Sequence, residues 1–262
     1  MDRPYVEELH IENYGCIRDA TLRLTPLHAL IGPNDSGKST VLRALRTVVY
    51  LVSNEDDKDL RLSLLRALPS DDPENGSLFA ISTRGLRLAD RYSRSGAQFA
   101  HDWSQPVPAQ VVQALKGAQL LRLDPDALRA PRPLIPDGQP LRFEDERGTG
   151  LPALYDAILS RDIQAFLQLN AEVSRLFLDV KSINLTNPSP TTKAMGVKLA
   201  DGTFVPAELM SEGLLYYLAF AALKYMEPTA MLLIEEPENG LHPARIAEVM
   251  RILREVSETM QV

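Results

Sequence analysis

The stretch Gly32-Pro33-Asn34-Asp35-Ser36-Gly37-Lys38-Ser39-Thr40 constrains this chain more than any other. Glycine, four residues and Gly-Lys-Ser is the spacing of a loop between a strand and a helix whose backbone N–H groups line a concave site. The helix that follows adds the positive end of its dipole, so the loop suits a polyphosphate. Gly37 lets the backbone approach such a ligand without a Cβ. In this motif Lys38 reaches the β- and γ-phosphates and the Ser39 hydroxyl holds Mg²⁺. Gly32, Asn34, Asp35, Ser36 and Thr40 complete the expected contacts. The flanks agree with the motif. Leu27-His28-Ala29-Leu30-Ile31 reads as a buried strand, and Val41, Leu45, Val48 and Val52 fall on one face of a helix. A Gly-Lys turn that met the pattern by accident would have no reason to carry both flanks.

The 262 residues are 45% hydrophobic and 24% charged, enough for a sizeable core in one large domain or two small ones. A net charge of −7 is spread along the chain and argues against a strongly basic nucleic-acid footprint. Local basic patches remain open at Arg43 and Arg46, or at Arg122, Arg129 and Arg132, although scattered arginines usually form a solvated face. Cys16 is the only cysteine, which excludes an internal disulfide and a thiolate zinc site and fits a reducing, cytoplasmic setting. The longest apolar run, residues 214–223, is shorter than the roughly 20 residues a bilayer takes and reads as a buried helix.

Residues 5–31 alternate as a hairpin turning at Asn13-Tyr14-Gly15 and leading into the phosphate-loop strand. A helical piece is expected at 60–68, strands at 77–104 with turns at 84–85 and 95–96, and a long connecting arm at 105–150 holding one strand, 119–123. Residues 151–178 read as two helices with Ser160 as N-cap of the second. Asp201-Gly202 turns a hairpin over 195–205.

Two further segments carry chemistry. Met231-Leu232-Leu233-Ile234 is an apolar strand that ends in Glu235 and Glu236. Carboxylates at the C-terminal end of such a strand face the ligand in nucleotide-binding α/β folds. Glu235 is assigned to the metal and Glu236 to the attacking water. Read alone, two acids after a strand simply begin a polar loop. Ser211 is a good N-cap for the helix after it; with Gly213 beside it, the same helix end is an anion site that could meet the γ-phosphate of a nucleotide held by a second subunit. Pro243 suits the first position of a helix over 244–257, with His242 as its packing or capping neighbour.

These residues resemble the ABC-type ATPase heads, nearest the RecF, SMC and OLD group, whose AAA-like members serve bacterial genome maintenance or phage defence. The resemblance rests on Ile11-Glu12-Asn13-Tyr14, the loop at 32–40, Ser211-Glu212-Gly213, Ile234-Glu235-Glu236-Pro237-Glu238 and Leu241-His242-Pro243. It covers roughly residues 5–50 and 195–262. It implies an α/β P-loop NTPase head with a mixed central sheet, an N-terminal antiparallel β subdomain and a helical insertion. The expected organisation is one head over 1–262: a hairpin and phosphate-loop lobe at 1–52, a strand-and-loop insertion at 53–150, a helical segment at 151–180, and a signature lobe at 190–262. The family's ATP and Mg²⁺ would be clamped in a homodimer between the phosphate loop of one copy and Ser211 and Gly213 of the other. By the same resemblance Glu236 is the hydrolytic base, and Asn239-Gly240-Leu241 is the loop that crosses the interface. Glu235 stands where many ABC proteins have aspartate. The family carries a histidine on the strand after the last helix; Met260-Gln261-Val262 reads as the start of that strand, so the expectation is either a chain truncated within the head or a head that lacks this histidine.

The resemblance implies a switch that dimerises on ATP and drives a DNA-related partner in repair, recombination or phage defence, without membrane insertion. Two other readings stand beside it. A transporter nucleotide-binding subunit would carry a Ser-Gly-Gly-Gln-like signature rather than Ser211-Glu212-Gly213. A scaffold would bind ATP without turnover.

Overall fold

The computed structural model describes residues 6–53, 77–83, 86–92, 100–101, 109, 112, 115 and 118–262. The helix expected at 60–68 and the turns expected at 84–85 and 95–96 lie outside the described residues. In chain order the first elements are β1 (Glu8–Tyr14), β2 (Ile17–Arg23), α1 (Lys38–Ser53), β3 (Ser77–Thr83), β4 (Leu86–Tyr92), β5 (Ala100–His101), β6 (Gln119–Leu121), α2 (Pro125–Arg129) and β7 (Arg132–Pro133). Then come α3 (Leu151–Arg161), α4 (Ile163–Leu176), β8 (Val180–Ser189), β9 (Thr192–Leu199), β10 (Phe204–Pro206), α5 (Glu212–Ala222), β11 (Leu232–Ile234) and α6 (Pro243–Val256). They divide into two compact units, each assembled from separate stretches of chain.

The first unit comprises Met1–Leu120, Pro228–Leu233 and Ser257–Val262. Its main sheet runs β2-β1-β3-β4-β5, every pair antiparallel. The expected hairpin is present, with Tyr14 facing Ile17 across the two-residue turn Gly15-Cys16. Gly15 takes φ 56° and Asn13 φ 51°, and asparagine is among the few residues that accept that region. Alternation puts Leu9 and Ile11 on the buried face of β1, where they join Phe79, Ile81 and Leu88. Ala44, Leu45, Val48 and Val49 close the core from α1; of the expected face, Leu45 and Val48 are buried in it, Val41 packs against it half-buried, and the side chain of Val52 lies outside the described residues. Each of the larger aliphatic and aromatic side chains contributes about 1.5–3 kcal/mol on burial.

The same unit holds a short run of parallel bonding. Gln119 N–H donates to Met231, Leu232 N–H to Gln261, and Gln261 N–H to Ala230, at 2.9, 2.7 and 3.1 Å. Val262 N–H donates to Pro26 at 2.8 Å and His28 N–H to Val262 at 2.9 Å. Gln261 is buried, and its amide spans the backbone of Val6, accepting from its N–H and donating to its C=O, both at 2.8 Å. The strand expected at 27–31 does not form. Its ladder bonds stop at His28, and Ile31 is 93% exposed instead of buried. An apolar run without a partner strand on its far side has no ladder to complete.

The second unit comprises Leu121–Glu227 and Ile234–Val256. β9 pairs β8 along one edge and β7 and β10 along the other, all antiparallel. α5 is buried all round from Leu214 to Ala222, as its unbroken apolar run requires. The buried Tyr155 of α3 donates its hydroxyl to Leu218 C=O at 2.9 Å. Of the arm expected at 105–150, residues 105–117 lie largely outside the described residues, and residues 118–150 are more ordered than their prolines suggest. They contain α2, with Asp124 accepting from Asp126 and Ala127 N–H and Pro125 in the first turn, and β7. The strand expected at 119–123 is shorter and ends at Leu121. The cap of α4 is Asp162, which accepts from Ala165 N–H at 3.0 Å, not Ser160, whose hydroxyl bonds Ala157 C=O within α3.

Candidate functional site

The phosphate-loop motif lies in the first unit. Residues 31–36 are exposed, Gly37 is buried, and α1 begins at Lys38. Asp35 and Gly37 take φ 62° and 91°, which fold the loop around its own backbone. Lys38 Nζ donates to Gly32 C=O at 2.8 Å and Pro33 C=O at 2.7 Å, so the ammonium already sits over the loop. Ser39 and Thr40 are half-buried in the first turn of α1. The hairpin turn supports the loop in a way the sequence did not reveal. A Cβ on Gly37 would lie 3.1 Å from Cys16 Sγ, and one on Gly15 would lie 2.9 Å from Thr40 Cγ2. These approaches add a packing reason for glycine at both positions to the positive φ that each takes.

Glu235, Glu236, Ser211 and Gly213 belong to the second unit. Glu235 N–H donates to Leu121 C=O at 2.8 Å, which places the acid at the end of β11 beside β6. Its side chain is only 8% exposed, and Arg122 Nε lies 3.8 Å from its Oε2. A buried carboxylate needs a cation near it, and Arg122 was legible in the sequence only as one of several arginines. Glu236 is exposed and takes φ 49° immediately before Pro237. Few non-glycine residues hold that conformation. Ser211 caps α5, accepting from Leu214 N–H at 3.4 Å. His242 takes the capping role expected of it, its Nδ1 accepting from Ala244 N–H at 3.2 Å before α6 opens at Pro243.

Of the arginines open as local basic patches, Arg122, Arg129 and Arg132 each face a carboxylate. Arg122 faces Glu235, Arg129 faces Asp126 at 3.1 Å, and Arg132 faces Glu144 at 3.7 Å. Each pair balances its charge locally, but only Arg122 is well exposed; the Nε atoms of Arg129 and Arg132 are buried. Among the described residues no group of three or more His, Cys, Asp or Glu could hold a metal. That is compatible with Mg²⁺, which rests on one or two protein oxygens, substrate phosphates and water. Among the described residues no helix is long and apolar enough to cross a membrane.

The family model described as "AAA domain, putative AbiEii toxin, Type IV TA system" matches residues 27–262. An OLD nuclease of Thermus scotoductus is 43% identical over 44 residues, a match spanning 17% of this chain and 8% of that protein. Among solved structures, the Smc head domain of Pyrococcus furiosus, with an extended coiled coil and bound to the C-terminal domain of ScpA, superposes with a TM-score of 0.53. That likeness covers 99% of this chain and 88% of that one at 15% identity. It is a likeness of fold, and it identifies a mixed α/β P-loop NTPase with an antiparallel N-terminal sheet.

Proposed function

The chain belongs to the AAA-domain family matched over residues 27–262, and on that premise we propose an ATPase head that binds Mg-ATP, dimerises on it and drives a DNA-related partner in the cytoplasm. The observation that carries the reading is the loop at 32–40 running into the N-terminus of α1, with Lys38 over its backbone. Loop N–H groups and the Lys38 ammonium bind the polyphosphate, charge-assisted and geometrically fixed. The Ser39 hydroxyl and the Glu235 carboxylate are hard oxygen donors and would hold Mg²⁺, the second directly or through water. Bound there, the ion would neutralise charge on the β- and γ-phosphate oxygens. Glu236, exposed to solvent, orients water for in-line attack on the γ-phosphorus and takes its proton. The P–O bond to the β-phosphate breaks, and ADP leaves with that electron pair. The capped N-terminus of α5, with Ser211 and Gly213, reaches the γ-phosphate held by a second copy.

In this reading residues 1–262 work as one head. Titration of wild type and Lys38→Ala with ATP tests it. Losing one charge-assisted contact to phosphate, about 1.5–3 kcal/mol, weakens binding about 10- to 100-fold. Equal affinities would remove the assignment of the loop. Wild type that binds ATP without releasing phosphate would leave a nucleotide-binding scaffold.

A further inference from the structure

We propose that Tyr216 and Gly240 form a seat that locks the loop carrying Glu236 onto the N-terminal turns of α5, making both of them positioning residues for hydrolysis. The inference rests on the reading of Glu236 as the base.

Gly240 takes φ 68°. Asparagine can take that angle too, so the conformation alone does not demand glycine. The packing does. A Cβ at this position would lie 2.3 Å from Tyr216 Cε2 and 2.7 Å from its Cδ2. The ring is 6% exposed and stands in the middle of a helix that is buried all round, so it has no room to swing aside. On the other side, a Cβ on Gly213 would lie 3.1 Å from the C=O of Gly240. The loop backbone thus rests on the ring of Tyr216 and against the turn that begins at Ser211.

The loop transmits this contact as a unit. Asn239 N–H donates to Glu236 C=O at 2.9 Å, and Leu241 N–H to Glu238 C=O at 3.2 Å. Leu241 is buried, and His242 caps the next helix. Two interlocked turns therefore join Gly240 to Glu236. Glu236 also pays for a left-handed backbone before a proline, and such conformations persist only where the surroundings over-determine them. The seat on Tyr216 provides that constraint. A carboxylate that must aim one water is sensitive to it, because a shift of about 1 Å can cost about 100-fold in rate.

The test is a double-mutant cycle of Gly240→Ala and Tyr216→Ala, with circular dichroism confirming that each variant folds. Steady-state turnover, the affinity for a non-hydrolysable ATP analogue, and hydrogen exchange over 211–216 and 236–242 are measured. Gly240→Ala should lower kcat about 100-fold, leave analogue affinity within about 3-fold, and speed exchange in both segments. In the Tyr216→Ala background the same substitution should lower kcat and speed exchange at least about 10-fold less than it does in wild type, because the clash is gone and only the cost of a left-handed alanine remains. Wild-type kcat and exchange in Gly240→Ala would overturn the proposal. So would equal effects of Gly240→Ala in the two backgrounds, which would trace them to φ alone. Wild type whose turnover is untouched by Glu236→Gln would instead sink the reading of the base, and the positioning role with it. Exchange, read without nucleotide, would still separate a seat that exists from one that does not.

Discussion

Glu236 and Gln261 show how much single side chains carry here. Glu236 holds φ 49°, where an L-residue costs about 1–2 kcal/mol. Glycine there would relieve that cost and forfeit some of it to the freer unfolded chain. Glu236→Gly should therefore gain about 0.5–1 kcal/mol in urea unfolding while abolishing phosphate release. A variant that lost stability would show that the angle is not strained. Gln261 works in the opposite direction. Its amide satisfies both backbone groups of Val6 in a buried place. Gln261→Ala leaves an N–H and a C=O without partners and should cost about 1–3 kcal/mol in the same assay. Neither role was legible in the sequence. Glu236 reads as an acid after a strand, and Gln261 as a polar residue in a terminal strand. Backbone angles and contacts between residues far apart in the chain leave no local pattern to read.

At the scale of elements, legibility follows periodicity. The hairpin β1–β2 and the helices α1 and α5 could be read because alternation, a 3.6-residue face and an unbroken apolar run are properties of the sequence itself. α2 and β7 could not, because Pro125, Pro131 and Pro133 signal a loop while one of them serves in a first helical turn. Ser160 lost the cap of α4 to Asp162 because α3 runs on to Arg161. Asp162→Ala should accordingly cost about 1 kcal/mol in stability, and Ser160→Ala much less. The turn before α3 is tied by Asp145, which accepts from Arg147 N–H, Thr149 N–H and the Thr149 hydroxyl at 2.9, 3.1 and 2.7 Å. Burial raises this carboxyl, but those bonds and the Arg147 charge outweigh it and hold it below its ordinary value. A depressed folded value contributes stability above the unfolded one, and that stability fades as pH falls through the folded value. Asp145→Asn should thus be less stable than wild type at neutral pH and lose less on acidification below about pH 4, as read from melting points across that range.

At the scale of the whole molecule, the reading predicts a change of mass. Glu236→Gln should retain ATP without cleaving it, and light scattering with Mg-ATP should give twice the monomer mass of 29.1 kDa. Binding without any change in mass would remove the ATP-dependent dimer and the role of Ser211 in a second copy. The fold class was legible at this scale through the family resemblance that the phosphate loop carries together with the segments at 11–14, 211–213 and 234–243. The division into two interleaved units was not, since no linker or change of composition marks it.

That interleaving has a consequence for synthesis. Met231 and Leu233 belong to the core that β1, β3 and α1 enclose, and Gln261 fastens the chain back to Val6. A ribosome delivers these residues only after the second unit's Leu121–Glu227 stretch. The amino-terminal sheet must wait, its apolar face incomplete, while more than a hundred intervening residues emerge and order themselves. Nascent chains stalled before residue 228 should be protease-sensitive in the first sheet and become resistant only after the return segments clear the exit tunnel.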